Sequence, residues 1–259
     1  MKKTALMLAV CSVFSVVLFA NGNSEKNAVK SAADLKGKRI GVQAGTTGEL
    51  YVQENYPSAK IASFKSVIDA AMDLKTGALD AVVLDELPAK EIVAKNSSLM
   101  ILDTYLSEEE YAIAVKKGNK ALLDSINKTI ETMKKDGSYN KLIDAFMPAD
   151  GKIKIPAPPS NPAQGKTVKL GTESAFPPFE YVEGNELVGF DITLSHYIAK
   201  TYQAKLETVD MAFDSLIPAL ASGAIDFIAA GMTVTEERKK NVDFSIPYYK
   251  TGLVIMVKK

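Results

Sequence analysis

The fold class is decided by the stretch that begins Arg39-Ile-Gly-Val-Gln43 and closes with Asp80-Ala-Val-Val-Leu84. Both segments are short and apolar, which is typical of buried strands. Between them the pattern predicts a helix that ends at Tyr56, a strand over 60–64 and a helix over 66–76. The second helix is predicted to bury the side chains of Ile68, Ala71, Met72 and Leu74. Because strands alternate with helices, we expect crossover connections and an α/β fold with a mostly parallel sheet.

The same alternation of strands and helices is predicted a second time later in the chain. Strands and helices are predicted to alternate over 167–172, 189–202, 205–210, 214–222 and 225–229. The amino-acid sequence repeats as well. Phe64-Lys-Ser-Val-Ile-Asp-Ala70 is similar to Phe213-Asp-Ser-Leu-Ile-Pro-Ala219, and Gly77-Ala-Leu-Asp-Ala-Val82 is similar to Gly223-Ala-Ile-Asp-Phe-Ile228. The first copy is longer between its blocks by about one helical turn. This repeat predicts two similar lobes with a cleft between them, and open α/β sheets bind ligands beyond the carboxyl ends of their strands.

The composition excludes several classes of function. The 259 residues include 31 basic and 31 acidic side chains, so no excess of positive charge favours nucleic acid as a partner. There is one Cys and one His, His196, which we interpret as a structural residue on a helix face. Zinc sites built on Cys/His clusters and disulfide frameworks are therefore excluded. We expect neither a metal site nor a cofactor.

The N-terminal segment has the pattern of a secretory signal. Lys2 and Lys3 precede an uncharged apolar run over 4–20, and Ala20-Asn-Gly22 is a plausible cleavage site. We therefore predict a signal peptide over 1–22 and a periplasmic or extracytoplasmic protein. Two alternatives stay open: an anchor helix, since such a run can just span a bilayer core of about 30 Å, and lipidation at Cys11.

A proline-rich segment over 148–165 separates the two copies. Five of the chain's eleven prolines fall between residues 148 and 162. Such composition indicates an extended surface linker. Two further helices are predicted before it, over 119–135 and 138–146, with Asp136-Gly137 between them.

Seven motifs of the chain occur together in one known family. Three of them are Gly171-Thr-Glu-Ser-Ala-Phe-Pro-Pro-Phe-Glu-Tyr181, Leu187-Val-Gly-Phe-Asp191 and Met211-Ala-Phe-Asp-Ser215. The other four are Ala230-Gly-Met-Thr-Val-Thr-Glu-Glu-Arg-Lys-Lys-Asn-Val-Asp-Phe-Ser245, Pro247-Tyr-Tyr249, Asp34-Leu-Lys-Gly-Lys-Arg-Ile-Gly-Val-Gln-Ala-Gly-Thr-Thr-Gly48 and Lys134-Lys-Asp-Gly-Ser-Tyr139. With these motifs the chain resembles the polar amino-acid-binding proteins of ABC importers, which are solute-binding proteins with a type II periplasmic-binding fold. The resemblance covers nearly all of the chain after the signal and outside the linker.

The order of these motifs departs from the family. Family members begin with the block seen here at 166–259 and continue with the block seen at 30–147, so the chain resembles a circularly permuted member. The resemblance then implies a smaller lobe of residues 30–106 plus 253–259 and a larger lobe of residues 112–247. It places the hinges at about 107–111 and 248–252. In this topology the strand Leu253–Val257 joins the sheet that contains Arg39–Gln43.

A free amino acid is a zwitterion, so its site needs partners for a carboxylate and for an ammonium group. Arg238 can bind a carboxylate through two N–H groups, and Thr235 is predicted to cap a short helix there. The alternative for Arg238 is a surface ion pair with Glu236 or Glu237. The resemblance implies the carboxylate role, with Ala230, Gly231 and Thr233 of the same motif in the site.

The resemblance assigns the ammonium group to Asp85, which follows a predicted strand. The alternative for Asp85 is to cap the helix that begins near Glu86. Thr46 and Thr47, at the start of another helix, are expected to donate to the ligand carboxylate.

Four more residues match positions around the ligand side chain. Phe176 and Phe213 would enclose its aliphatic part, although a buried aromatic residue is more often part of the core. Glu173 and Gln43 would face its end, and an acid beside a neutral amide favours a cationic or amide ligand. We rank arginine first, then lysine, then glutamine or histidine.

Three functions are compatible with this pattern. The first is a monomeric binding protein that captures a polar amino acid, arginine or lysine favoured, and delivers it to an ABC transporter permease. The second is a small-molecule lyase or dehydratase on the same scaffold, with Glu173 or Asp85 as a general acid. The third is the ligand-sensing subunit of a receptor. We favour the first and expect no enzymatic activity, because no nucleophile triad or metal pattern is present.

Overall fold

The computed structural model describes residues 28–162 and 165–259. The predicted signal peptide over 1–22, and Cys11 within it, lie outside the described residues. A short 3-10 turn, Ala32–Leu35, precedes the first strand. Within the described ranges, no helix combines the length and apolar character needed to cross a membrane.

The smaller lobe contains a five-stranded sheet in the order β2-β1-β3-β13-β4. Its strands are β1 (Arg39–Gln43), β2 (Lys60–Phe64), β3 (Ala81–Asp85), β4 (Leu99–Tyr111) and β13 (Tyr249–Lys258). Its helices are α1 (Thr47–Asn55), α2 (Val67–Thr76) and α3 (Glu86–Lys95). β13 is antiparallel to the other four strands of this sheet, which are parallel to one another. Leu253 pairs with Asp85 of β3, so the prediction that the C-terminal strand joins the sheet of β1 is confirmed.

The larger lobe repeats this arrangement in the order β10-β6-β11-β5-β12. Its strands are β5 (Ala114–Lys116), β6 (Thr167–Thr172), β10 (Lys205–Asp210), β11 (Phe227–Ile228) and β12 (Val242–Phe244). Its helices are α4 (Lys120–Asp136), α5 (Ser138–Phe146), α6 (Phe190–Thr201), α7 (Phe213–Ser222) and α8 (Glu236–Lys239). A small antiparallel sheet follows β6 and contains β7 (Ala175–Phe176), β8 (Glu180–Glu183) and β9 (Glu186–Val188). The α/β fold with two sheet-containing lobes is thus as expected.

One prediction about helix α2 is wrong in part. Ala71 and Leu74 are buried, but Ile68 and Met72 are 43% and 50% exposed. The buried face is formed instead by Val67, Ala70, Ala71 and Leu74, which follow the i, i+3, i+4, i+7 spacing. The small side chain of Ala70 lets the helix pack closely on Gly41 of β1, where an added Cβ would lie 3.3 Å from the Ala70 Cβ.

Two antiparallel strands connect the lobes. β4 extends from the smaller sheet as far as Tyr111, and its last residues pair with the first residues of β13, from Tyr249 opposite Tyr111 to Leu253 opposite Ser107. Tyr111 is fully buried in a cluster of rings that includes Phe179, at 5.2 Å between centroids, and Tyr249, at 6.1 Å. The two connections therefore form a single hydrogen-bonded ribbon.

The proline-rich segment lies on the surface of the larger lobe. Within its described part, residues 148–162, there is no helix or strand. Asn161 fixes it to helix α6, because the Asn161 amide donates to the carbonyl of His196 at 3.1 Å and its oxygen lies 3.1 Å from His196 Nδ1. His196 thus has the structural role that its position in a helix predicts.

Candidate functional site

A cavity lies between the lobes, at the carboxyl ends of strands from both sheets. Twelve residues line it: Gln43, Thr46, Thr47, Asp85, Glu173, Phe176, Glu180, Phe213, Ala230, Gly231, Thr233 and Arg238. Eleven of these are the residues singled out from the sequence, and the structure brings all of them together. Their roles as ligand contacts stay predictions. Glu180 is the additional residue.

Arg238 connects the two lobes at one end of the cavity. Its Nη1 donates to the carbonyl of Thr233 at 2.8 Å, and its Nη2 donates to the carbonyl of Gly45 at 3.0 Å. Its guanidinium carbon lies 5.2 Å from the centroid of the Phe213 ring, within the range of a cation–π contact. Burial lowers the pKa of Arg238 from its ordinary value, although the side chain remains a cation at neutral pH.

The surface ion pair considered for Arg238 is not formed. Glu236 pairs with Lys239 and Glu237 pairs with Lys240, whereas Arg238 is only 8% exposed. The predicted cap at Thr235 is confirmed, because its side chain accepts a hydrogen bond from the backbone N–H of Arg238 at 3.1 Å. The cap turns the chain so that the arginine points inward while its acidic neighbours stay in solvent.

Asp85 provides a buried carboxyl group at the end of β3. It occupies the N-cap position of α3, yet its side chain makes no capping hydrogen bond, so the capping alternative is wrong. Its Oδ1 is buried with no hydrogen-bond partner in the described part of the chain. Burial raises the pKa of Asp85 to about 7, and the neighbouring Tyr111 hydroxyl partly opposes this shift. A cation brought to this position would relieve the cost of burying the charge.

Thr46 and Thr47 stand at the start of helix α1. Thr46 caps the helix by accepting from the Glu49 N–H at 3.3 Å, and its hydroxyl donates to the Gln43 carbonyl at 2.7 Å. The Thr47 hydroxyl donates to the buried carboxyl of Glu109 at 3.1 Å. Both hydroxyls are therefore held by protein acceptors, and a ligand carboxylate would have to compete with those acceptors for them.

Acidic and aromatic residues also line the cavity. Burial raises the pKa of Glu173 to about 7, while a hydrogen bond from Gln43 opposes the shift. The Gln43 amide also donates to the Lys65 carbonyl at 3.0 Å, which fixes its orientation. The Phe176 ring packs so closely on Gly231 that a Cβ there would lie 2.7 Å from it, and Gly231 also has a positive φ of 52°. Only glycine fits this wall without strain.

Sequence reasoning missed four buried polar residues around the cavity: Glu109, Glu180, Asp191 and Tyr248. Asp191 Oδ2 accepts hydrogen bonds from the Gly231 N–H at 2.9 Å and the Tyr248 hydroxyl at 2.7 Å. Glu180 and Asp191 are present in motifs of the sequence, but nothing in the local pattern shows that they meet. Their burial depends on a contact between strand β8 and helix α6.

The chain is similar to a family of solute-binding proteins and to individual amino-acid-binding proteins. The family model described as bacterial extracellular solute-binding proteins, family 3, matches residues 13–149 and 168–259. The ABC transporter arginine-binding protein 1 of Escherichia coli K12 is 37% identical over 48% of this chain and 54% of its own length. The L-cystine-binding protein TcyJ of the same organism is 34% identical over 51% of this chain and 50% of its own. The chain thus spans about half the length of these curated relatives.

A solved structure described as an ancestral arginine-binding protein bound to arginine is also similar. It is 56% identical over 33% of this chain and 38% of its own, with a TM-score of 0.32.

Proposed function

This chain belongs to the bacterial extracellular solute-binding proteins, family 3, and we propose that it captures a polar amino acid between its lobes and delivers it to an ABC transporter. Arginine or lysine is the favoured ligand. The family consists of binding proteins, so the lyase and receptor-subunit alternatives gain no support from it. We propose further that the protein is exported through the predicted signal over 1–22 and acts as a monomer.

The observation that carries this proposal is the pair of opposite charges buried in one cavity. Arg238 supplies a cation from the larger lobe, and Asp85 supplies a carboxyl group with an unpartnered oxygen from the smaller lobe. An α-carboxylate and an α-ammonium group are held at a fixed spacing in every amino acid, and this pair complements them. Closure of the lobes on the ligand would satisfy both charges at once.

The side-chain end of the cavity supports a cationic ligand. Glu173 is buried with a neutral amide as its donor, and both aromatic walls, Phe176 and Phe213, are less than a tenth exposed. A guanidinium stacks on such rings and neutralises the acid. The relatives include a protein named for arginine and another named for L-cystine, so the family scaffold accepts more than one side chain.

Calorimetric titration of refolded protein, stripped of carried-over ligand, against the twenty amino acids tests this proposal. We expect arginine to bind most tightly and glutamate to bind poorly. Glu173→Gln should weaken arginine by at least about tenfold, because a buried charge pair is lost, and should change glutamine far less. Tight binding of glutamate by the unsubstituted protein, or equal losses for both ligands in the variant, would contradict the assignment of Glu173.

We also propose that the chain is a circularly permuted family member with the lobe and hinge boundaries given above. Two observations support this. The family model matches in two segments that flank the proline-rich linker, and β13 completes the sheet of the smaller lobe. A variant in which 166–259 precedes 30–147, with the linker deleted, should fold and bind within a few-fold of the original order. Failure to fold with the original order folding normally would contradict the permutation.

A further inference from the structure

Glu180 is a fully buried acid that neither the fold nor the predicted ligand contacts explain. It begins strand β8, opposite Phe176 of β7, and lines the same cavity as the predicted site residues. Neither of its carboxyl oxygens has a hydrogen-bond partner in the part of the chain that the structure describes. The charged groups that interact electrostatically with Glu180 are Asp191, Glu173 and Asp210, and all three are acids that raise its pKa.

The neighbouring carboxyl group of Asp191 has hydrogen-bond donors on one of its two oxygens, Oδ2. Gly189 lets helix α6 approach closely, since an added Cβ would lie 2.1 Å from the Phe179 carbonyl, and the Asp191 N–H donates to that carbonyl at 2.9 Å. Asp191 Oδ2 then receives two donors, the Gly231 N–H and the Tyr248 hydroxyl. Asp191 is therefore the better place for a negative charge, and Glu180 is the better place for a proton.

If Glu180 carries a proton, its O–H can donate to the free oxygen of Asp191. The other Glu180 oxygen then still has no hydrogen-bond donor among the described residues. An acid buried in this way is costly unless a donor reaches it. The cavity is the space from which such a donor can come, and its side-chain end already contains Glu173. Two carboxyl groups lining one closed space fit a group with several N–H donors.

We propose that Glu180 is a second acidic contact for the cationic end of the ligand side chain, next to Glu173. This inference rests on the proposed function. A guanidinium presents five N–H donors in a planar fork, so it can donate to two carboxyl groups. Its positive charge would favour the ionised form of Glu180, so Glu180 releases its proton when the ligand binds and contacts the guanidinium as a carboxylate. An ammonium group is compact and a neutral amide has two donors, so arginine gains most from a pair of acids. Glu180 therefore adds to the preference for arginine over lysine and glutamine.

The competing explanation is that Glu180 only supports the structure, by holding Asp191 and thereby the Gly231 loop and Tyr248. The two explanations differ in how ligands respond. A structural role would change the affinity for every amino acid alike, because the carboxylate and ammonium contacts would move. A direct contact would change the affinity for a cationic side chain selectively.

The test compares arginine with citrulline, which has nearly the same shape but a neutral urea group, in Glu180→Gln. We expect arginine to lose at least about tenfold in affinity, whereas citrulline changes by less than about threefold. Glu183→Gln, an exposed substitution in the same strand, is the matched control and should change neither ligand. The double variant Glu173→Gln/Glu180→Gln should lose less than the product of the single losses, because both acids share one guanidinium.

The other outcomes overturn the inference. Equal losses for arginine and citrulline, or no loss for either, would show that Glu180 makes no selective contact. Thermal unfolding of Glu180→Gln shows whether the variant is folded, and Glu180→Asp, which keeps the acid, provides a second variant if it is not. If the unsubstituted protein binds neither ligand nor any other amino acid, the proposed function itself fails, and that result is distinct from a failure of Glu180 alone.

Discussion

In the smaller lobe, the Asp80 carboxylate accepts a hydrogen bond from the backbone N–H of Arg39 at 2.8 Å. In the larger lobe, the Asp226 carboxylate accepts one from the backbone N–H of Lys169 at 2.7 Å. In each lobe this aspartate directly precedes the third strand of the repeat and bonds to the first strand, which pairs with it in the sheet. The sheets also share one strand order, in which a single antiparallel strand lies beside that third strand.

Glycines repeat at matching positions in the same way. A Cβ on Gly41 would lie 2.5 Å from the Leu79 side chain, and one on Gly171 would lie 2.2 Å from the Ile225 side chain. Gly77 and Gly223 end helices α2 and α7 with φ of 86° and 82°. These residues build the framework, and both lobes keep them.

The lobes differ where their strands end at the cavity. Gln43, two residues after Gly41, corresponds to Glu173, two residues after Gly171. Asp85 and Gly231 stand five residues after their framework aspartates. The helices α2 and α7 are equally long, but α7 begins at Phe213 whereas Phe64 remains in β2, so only Phe213 lines the cavity. The two lobes therefore share the residues that build the framework and differ in the residues that line the cavity.

The largest effect is expected from the charges that the two lobes do not share. Arg238→Ala and Asp85→Ala should each cost about 2–5 kcal/mol of binding free energy, because each leaves a ligand charge unpaired in a closed site. Both variants should unfold at nearly the original temperature. Glu237→Ala, which removes an exposed acid beside Arg238, is the control and should bind normally. Calorimetric affinities within a few-fold of the original for either charge variant would contradict the zwitterion site.

The framework glycines provide a second test. Gly41→Ala and Gly171→Ala should each lower the free energy of unfolding by about 1–3 kcal/mol, because the new methyl group overpacks a strand–helix contact. The losses should be similar in the two lobes, as measured by chemical denaturation. A large loss at one glycine and none at the other would break the equivalence of the two frameworks.

Two of the acids that line the cavity, Asp85 and Glu173, are expected to respond to different parts of the ligand. Burial raises the pKa of Asp85 and of Glu173 to about 7, so a cation that binds their ionised forms releases protons below that pH. Affinity should therefore rise with pH and level off above about 7, by up to about tenfold per pH unit for each proton released. The affinity for glutamine should depend on the ionisation of Asp85 alone. The affinity for arginine should depend on the ionisation of both acids, and it should rise more steeply with pH in calorimetric titrations at several pH values. Parallel curves would show that Glu173 does not sense the ligand charge.

The smallest effect is expected from the framework aspartates. Asp80→Ala and Asp226→Ala should each lower the free energy of unfolding by about 0.5–1.5 kcal/mol, since each leaves a backbone N–H without its acceptor. Arg39 donates to Asp80 and lowers the pKa of that carboxyl. The ionised Asp80 therefore stabilises the fold above its unfolded pKa of about 4, and this contribution is lost as the pH falls through the folded value. In denaturation at acidic pH, the difference between the original chain and Asp80→Ala should shrink.

The repeated framework is also what the sequence predicts best. The sequence predicts the strands at 39–43, 60–64, 167–172 and 205–210 with the observed bounds, because apolar runs between turn residues are local signals. The predicted buried face of α2 is right for Ala71 and Leu74 but wrong for Ile68 and Met72, because Ala70 packs against β1 while these two larger side chains remain exposed. Glu180 was missed for a similar reason. Its burial depends on Asp191, eleven residues away, and on a close approach at Gly189 that no local pattern reveals.

Tyr111 has a consequence for how the protein can be observed. The chain contains ten tyrosines and no tryptophan, so tyrosine dominates its near-ultraviolet absorption and emission. Tyr111 is fully buried, and its hydroxyl lies beside the Asp85 carboxyl. The spectrum of a phenol depends on the hydrogen bonds of its hydroxyl, and an ammonium group at Asp85 would change them. Ligand occupancy should therefore be readable as an optical signal from the unlabelled protein, and Tyr111→Phe should remove most of that signal.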